Sequence, residues 1–155
     1  GCGGGAGNQS CAIAKCSLEH GGVLFCWACP EYPCSRYEGF DDGDSFVPHR
    51  NRRQDIAQAR EMGLEAYLAQ LEEKRAILDA LLADYNDGRR KTLFNTAVYL
   101  LPLEDLRSVM AALSSRPELA DQTIKERALA AVELLQEAAD RQKISLKLNK
   151  KTWKG

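Results

Sequence analysis

The cysteines of this 155-residue chain are concentrated near its start, and their spacing is typical of metal ligands. Five of the six lie within residues 11–34, in the pattern C-x4-C-x9-C-x2-C-x4-C. Thiolates are soft, anionic donors, and four of them satisfy a tetrahedral zinc ion. The same segment has too few large apolar residues to form a core, and units of this kind usually fold around a metal or disulfides. The sequence therefore predicts a zinc-binding module whose candidate ligands are Cys11, Cys16, Cys26, Cys29 and Cys34.

The geometry of the motif indicates which of these cysteines are most easily brought to one ion. Cys26 and Cys29 form a CxxC pair and are expected in any ligand set, because one turn brings both sulfurs to the same ion. Cys16 is expected to join them from an upstream helix, and either Cys11 or Cys34 would complete the tetrahedron. Four thiolates leave no coordination position for water, so such a zinc holds the fold and is a poor Lewis acid.

Six cysteines also permit other arrangements. Two zinc ions could share six thiolates, including Cys2, through bridging sulfurs, and an iron–sulfur cluster could take four. Disulfides and free thiols are the remaining alternatives. No export signal is recognisable, which favours a cytoplasmic protein, where disulfides are uncommon. We therefore expect one zinc ion per chain, or two in the bridged arrangement, with Cys2 spare if there is one.

Catalytic interpretations of the same residues are weaker. The run Cys26-Trp27-Ala28-Cys29 resembles a redox dithiol, but that chemistry places the pair at a helix N-terminus after a strand. Pro30 and Pro33 follow at once and exclude a helix there. His20 would share a helix face with Cys16, yet cysteines already compete for the metal, so we expect a surface histidine. No HExxH motif or phosphate-binding glycine loop is present.

The net charge of −1 argues against a dedicated nucleic-acid-binding protein, which is usually strongly basic. Two stretches are locally basic. Arg89-Arg90-Lys91 could hold a phosphate at a helix N-terminus, although a solvated turn is expected. Residues 143–155 contain five lysines and no acidic residue, and we expect a solvated, frayed end. No apolar run approaches the length of a membrane span, so no membrane association is expected.

The rest of the chain has helical periodicity. Gly, Asp and Pro in residues 39–49 are typical of a linker. The predicted helices are about Arg53–Met62, Leu64–Tyr85, Arg90–Leu101 and Leu103–Leu113, and one from the capping box Thr123–Glu126 to about Arg141. The third is apolar nearly all round and should be the most buried. Residues 143–149 alternate as a short strand or extended tail would. The predicted fold is mainly α: a small cysteine-rich zinc-binding module (residues 1–45) followed by a four- to five-helix bundle (residues 46–155).

The string CAIAKC…EHGGVLFCWACPEYPC resembles a cysteine-rich bacterial and archaeal family classed as a domain of unknown function. Its signature combines C-x-I-x-x-C, a spacer with Glu and Gly, C-x-x-C and EYPC. The matching residues are Cys11, Ile13, Cys16, Glu19, Gly21, Cys26, Cys29, Glu31, Tyr32, Pro33 and Cys34. Members carry further upstream cysteines, whereas this chain has Asn8 at one such position and only Cys2 before it. The resemblance implies zinc binding through cysteines and implies no activity.

Three functions are open at this point. The first, which we expect, is a binding or adaptor protein with a structural zinc and an unidentified protein partner. The second is a metal- or thiol-dependent enzyme, which an open coordination position would favour. The third is a nucleic-acid-binding protein that uses the basic turn and the lysine-rich end, which a contiguous basic face would favour.

Overall fold

A computed structural model of the chain describes residues 12–39, 42–44 and 47–149. Their fold is mainly helical, and they contain no strand. None of their helices is both long enough and apolar enough to cross a membrane. The helices are α1 (Ala12–Glu19), α2 (Arg52–Met62), α3 (Leu64–Asp84), α4 (Lys91–Leu100), α5 (Leu103–Ser114) and α6 (Ile124–Arg141). The predicted helical bounds from residue 53 onward are confirmed to within one or two residues.

The core lies where α3, α4, α5 and α6 pack together. Phe94 of α4 and Leu135 of α6 are fully buried, and α4 is also buried at residues 96–98. The prediction that this helix is central is therefore confirmed. The buried cluster also contains Leu81, Ala97, Val98, Leu101, Leu106, Val109, Leu113, Leu119, Ala131, Ala138, Ala139 and Leu146.

Local signals account for the helix ends. Gly63, at φ +86°, separates α2 from α3, and Gly21, at φ +83°, follows α1. Such positive φ angles are easy for glycine and strained for other residues. The predicted capping box is confirmed: the Thr123 N–H donates to Glu126 Oε2 (2.9 Å), and the Glu126 N–H donates to Thr123 Oγ1 (3.3 Å). These helix boundaries are thus set by residues visible in the sequence.

The apolar stripe of α3 is buried over only part of its length. Leu81 is in the core, but Leu64, Leu68 and Leu71 are 39%, 51% and 40% exposed. The first half of α3 packs mainly against α2, whose one buried residue is Ala59. Periodicity shows which face of a helix is apolar and not what covers that face.

The segment after α6 is docked on the bundle up to Asn149. Leu146 is buried in the core cluster, and the Ile144 N–H donates to the Ala139 carbonyl (2.8 Å). This part is neither the frayed end nor the strand that the sequence suggested. Three of the five lysines, those beyond Asn149, lie outside the described residues.

Asp44 joins the linker to that segment. Its side chain is fully buried and accepts hydrogen bonds from Arg50 Nη1 (2.9 Å), the His49 N–H (2.7 Å) and the Asn149 N–H (2.7 Å). Its own N–H donates to the Asn149 carbonyl (2.9 Å). Arg50 donates in addition to two carbonyls of the C-terminal segment. We call this set the Asp44 clamp.

The clamp predicts a long-range effect of a conservative change. Asp44→Asn should lower the free energy of unfolding by about 1–3 kcal/mol, because a buried charged acceptor is replaced by a neutral amide. In the same variant, backbone amide hydrogen exchange at residues 144–149 should become faster. Asp42→Asn, at an exposed neighbouring carboxylate, is the matched control and should change neither. Equal urea denaturation midpoints for the two variants would contradict the assignment.

Candidate metal centre

The cysteines are positioned by α1 and by the turns that follow it, within what we call the cysteine-rich segment (residues 12–39). Cys16 lies on α1, and after Gly21 and Gly22 the chain turns back, held by the Ser17 Oγ donating to the Val23 carbonyl (2.5 Å). A 3-10 turn over Cys26–Ala28 then forms the CxxC, and the Cys29 N–H donates to the Cys26 carbonyl (3.0 Å). The upstream helix and the CxxC turn lie where the sequence predicted them, and the convergence of their sulfurs on one ion stays a prediction.

All four described cysteines line one small cavity. Cys16, Cys26, Cys29 and Cys34 meet there as free thiols, each partly buried. The cavity has a volume of about 30 Å³, which is room for an ion or a water molecule rather than an organic cofactor. The other lining residues are Ile13, Ser17, His20, Val23, Tyr32, Arg36 and Tyr37.

The described side chains do not already form a closed ligand set. Within residues 12–39, 42–44 and 47–149, no three histidine, cysteine, aspartate or glutamate side chains lie in an arrangement that could hold a metal ion. Binding of a structural metal is commonly coupled to the ordering of its ligands, because the ligands must lose their protons and their anionic groups repel one another without the ion. Two cysteines, Cys2 and the predicted ligand Cys11, lie outside the described residues. The five-cysteine ligand set therefore stays a prediction.

His20 lies on the cavity wall rather than apart from it. Its Nδ1 donates to the Cys16 carbonyl (2.9 Å) and lies 3.6 Å from Cys16 Sγ, while its Nε2 is 3.5 Å from Glu31 Oε2. The backbone hydrogen bond, helped by the Glu31 charge, raises the pKa of His20 above its ordinary value. Since Nδ1 is engaged, His20 would have to release that bond to coordinate through this nitrogen. The four-residue spacing predicted the shared face, but not the cavity.

Tyr37 is the residue of this site that sequence reasoning missed. It is only 4% exposed, and burial together with a hydrogen bond to the Cys26 side chain raises the pKa of its phenol. Its ring packs edge-on against Tyr32 (5.3 Å between centroids). Arg53 of α2 donates to the Tyr37 carbonyl (2.9 Å) and lies 5.9 Å from the ring centroid. Tyr37 therefore connects the cysteines to the helical bundle.

Two further features bear on the alternatives. The CxxC occupies a 3-10 turn after extended Phe25, and the described residues offer no strand to build the redox setting. In the basic turn, the Arg89 N–H donates to Asp87 Oδ1 (3.0 Å), and Arg90 Nε lies 3.6 Å from Asp87 Oδ2. Asp87 thus offsets part of the positive charge there, which weakens the case for a phosphate site.

A second, more open depression adjoins the cavity. Its volume is about 330 Å³, and it is lined by Cys16, Cys34, His20, Glu31, Ser35 and Arg36. Two of the four thiols are therefore reachable from solvent on this side. The cavity and the depression thus share the residues Cys16, Cys34, His20 and Arg36.

Comparison with known proteins adds no relative. No family model matches the chain, and none of the curated proteins or solved structures compared with it gives a significant match. The resemblance to the cysteine-rich family therefore stays a prediction carried by the motif residues.

Proposed function

We propose that this chain is a zinc-binding protein in which one zinc ion, held by thiolates, organises the cysteine-rich segment as a module for binding a protein partner. One observation carries the proposal. Four cysteines, one from α1 and three from the turns that follow it, line a single ion-sized cavity. Four soft, anionic donors lining one cavity would suit a zinc ion that draws them together, and a second zinc would need Cys2 and Cys11 as well.

Packing supports a structural role for the ion. Among the side chains described in residues 12–39, Tyr37 is the only buried hydrophobic one. A segment with so little apolar burial gains little from the hydrophobic effect, so a metal that binds only the folded form would supply the missing stability. The residues present fit such an ion: four thiols line the cavity together with the apolar side chains of Ile13 and Val23 and the rings of Tyr32 and Tyr37.

Charge supports the same role. Four thiolates around Zn²⁺ leave the site with a net negative charge, which nearby cations would balance. Arg36 lines the cavity, and Arg53 reaches Tyr37 from α2. Arg36 Nη2 also lies 3.7 Å from Glu19 Oε2, so part of its charge is already offset by a carboxylate.

Exposed apolar side chains support a protein partner. Leu18 and Leu24 are 77% and 90% exposed, and Phe25 stacks on Trp27 with centroids 4.3 Å apart. Trp27 also lines a groove of about 330 Å³ with Tyr32 and residues of α2. Apolar and aromatic side chains grouped beside a groove are typical of interaction surfaces.

The second candidate is a metal-dependent enzyme, and the open depression favours it. There Glu31 and the imidazole of His20 lie beside two thiols, so a metal with a vacant position would have an acid–base pair within reach. The two candidates differ in what His20 does. In an adaptor whose zinc has four thiolate ligands, the imidazole of His20 is needed neither as a ligand nor for catalysis.

Ligand substitutions test the zinc site. Protein purified without added metal should contain one zinc per chain, measured by elemental analysis and native mass spectrometry. Cys26→Ser and Cys29→Ser should each lower zinc affinity at least about tenfold, since one thiolate is lost. Cys2→Ser and His20→Ala are the matched controls and should keep their zinc. Metal-free protein with three disulfides would refute the zinc site, and zinc loss in His20→Ala would favour the enzyme.

Chelation tests what the ion stabilises. Removing zinc should loosen residues 12–39, seen as faster hydrogen exchange there, because the segment lacks a core. The far-ultraviolet circular dichroism should fall only slightly, since α3 to α6 share a buried cluster that contains none of the cysteines. Collapse of the whole helical signal on chelation would show that bundle and segment unfold as one unit.

A further inference from the structure

A separate cavity, formed without any of the cysteines, lies where α2 and α3 meet the junction of α4 with α5. Its walls come from Asn51 and α2 (residues 54–58), from Gln70 and Lys74 of α3, and from residues 99–104 at that junction. Its volume is about 300 Å³, at the lower end of pockets that hold small organic ligands. Nothing in the zinc proposal uses this cavity.

Two opposite charges face each other there in partly buried positions. Burial raises the pKa of Asp55 and lowers the pKa of Lys74, and the attraction between the two offsets part of each change. Burial also raises the pKa of Tyr67 to about 12, with the Asp55 charge adding to it. Placing charges where water is scarce costs stability, and such placements are common at functional sites.

Neither charged group is fully satisfied by the protein. Lys74 Nζ donates to the Leu101 carbonyl (2.7 Å), which occupies one of its three N–H donors. Asp55 Oδ2 accepts from Asn51 Nδ2 (2.8 Å), and no hydrogen bond to Oδ1 is formed by the described residues. Two ammonium donors and one carboxylate oxygen are thus available to a ligand.

A third polar group of the cavity, a side-chain amide oxygen, also lacks a hydrogen-bond partner within the described part of the chain. Asn51 Oδ1 is buried and has no hydrogen-bond partner among the residues that the structure describes. A buried acceptor without a donor is rare in folded proteins and calls for an explanation. A ligand carrying N–H groups would supply the donor.

We propose that this cavity binds a small zwitterion of the free α-amino acid class. The ligand's ammonium would donate to Asp55 and to Asn51 Oδ1, and its carboxylate would accept from Lys74. Its side chain would face Gln54, Gln58 and Gln70, which line the cavity together with residues 99–104. Amide side chains both donate and accept, which suits a short or polar ligand side chain.

Calorimetric titration of the full chain tests this proposal with three kinds of probe. The standard amino acids are titrated singly, and the best of them is compared with its decarboxylated amine and with its N-acetyl derivative. The amino acid should bind, and either modification should weaken binding at least about tenfold, since each removes a charge-assisted contact. No binding of any amino acid at millimolar concentration would overturn the proposal, as would equal affinity for the three forms.

Two substitutions assign the contacts. In Asp55→Asn the preference for the amino acid over its N-acetyl derivative should shrink at least about fivefold, while Lys74→Met should erase the preference over the amine. Glu72→Gln, an exposed change on α3 away from the cavity, is the control and should alter neither ratio. If neither cavity variant changes the affinity of the amino acid relative to its amine and to its N-acetyl derivative, the proposal is overturned. If a variant does not fold in a thermal melt, the three-probe series on the native chain still decides.

Discussion

The cysteine-rich segment lacks the apolar side chains that would let it fold by burying a core, and the other features of the site follow from this constraint. Of its described hydrophobic side chains only Tyr37 is buried, whereas the bundle buries a contiguous cluster from α3 to the segment after α6. Hydrophobic burial is the main driving force of folding, so a segment without it needs another source of stability. Convergence of four thiols on one cavity is the feature that could supply it.

Besides the packing of the CxxC turn against α2, two polar contacts dock that segment and the linker on the rest of the molecule. Arg53 binds the carbonyl and the ring face of Tyr37, and Asp44 is enclosed by Arg50 and the backbone of Asn149. Tyr37 also contacts Cys26, so a change in the sulfur positions would affect the packing of α2 before that of the other helices. The α3 to α6 core is one step further away, since α2 contributes only Ala59 as a buried residue. We therefore expect stability to increase from the cysteine-rich segment to α2 and from α2 to the core.

Local sequence signals predicted the helices, whereas contacts between distant residues had no such signal. Gly63, the Thr123 capping box and the apolar faces of α4 and α6 act within a few residues, so the helix bounds could be read directly. The exposure of Leu68 and the docking of Leu146 depend on which other helices reach them, which periodicity does not encode. In the same way, spacing predicted the turns that carry the cysteines, but Tyr37 became part of the site through a partner on α2. The cavity around Asp55 and Lys74 had no sequence signal, because its walls come from three separate stretches.

The ligand shell of the bound metal is the most direct test of the proposed function. X-ray absorption at the zinc edge, on protein purified without added metal, distinguishes sulfur from nitrogen and oxygen ligands by distance. A closed structural site predicts four sulfur atoms at about 2.3 Å and no lighter ligand. A shell containing nitrogen or oxygen at about 2.0–2.2 Å would contradict the closed site, and protein without zinc would contradict the metal-binding function itself.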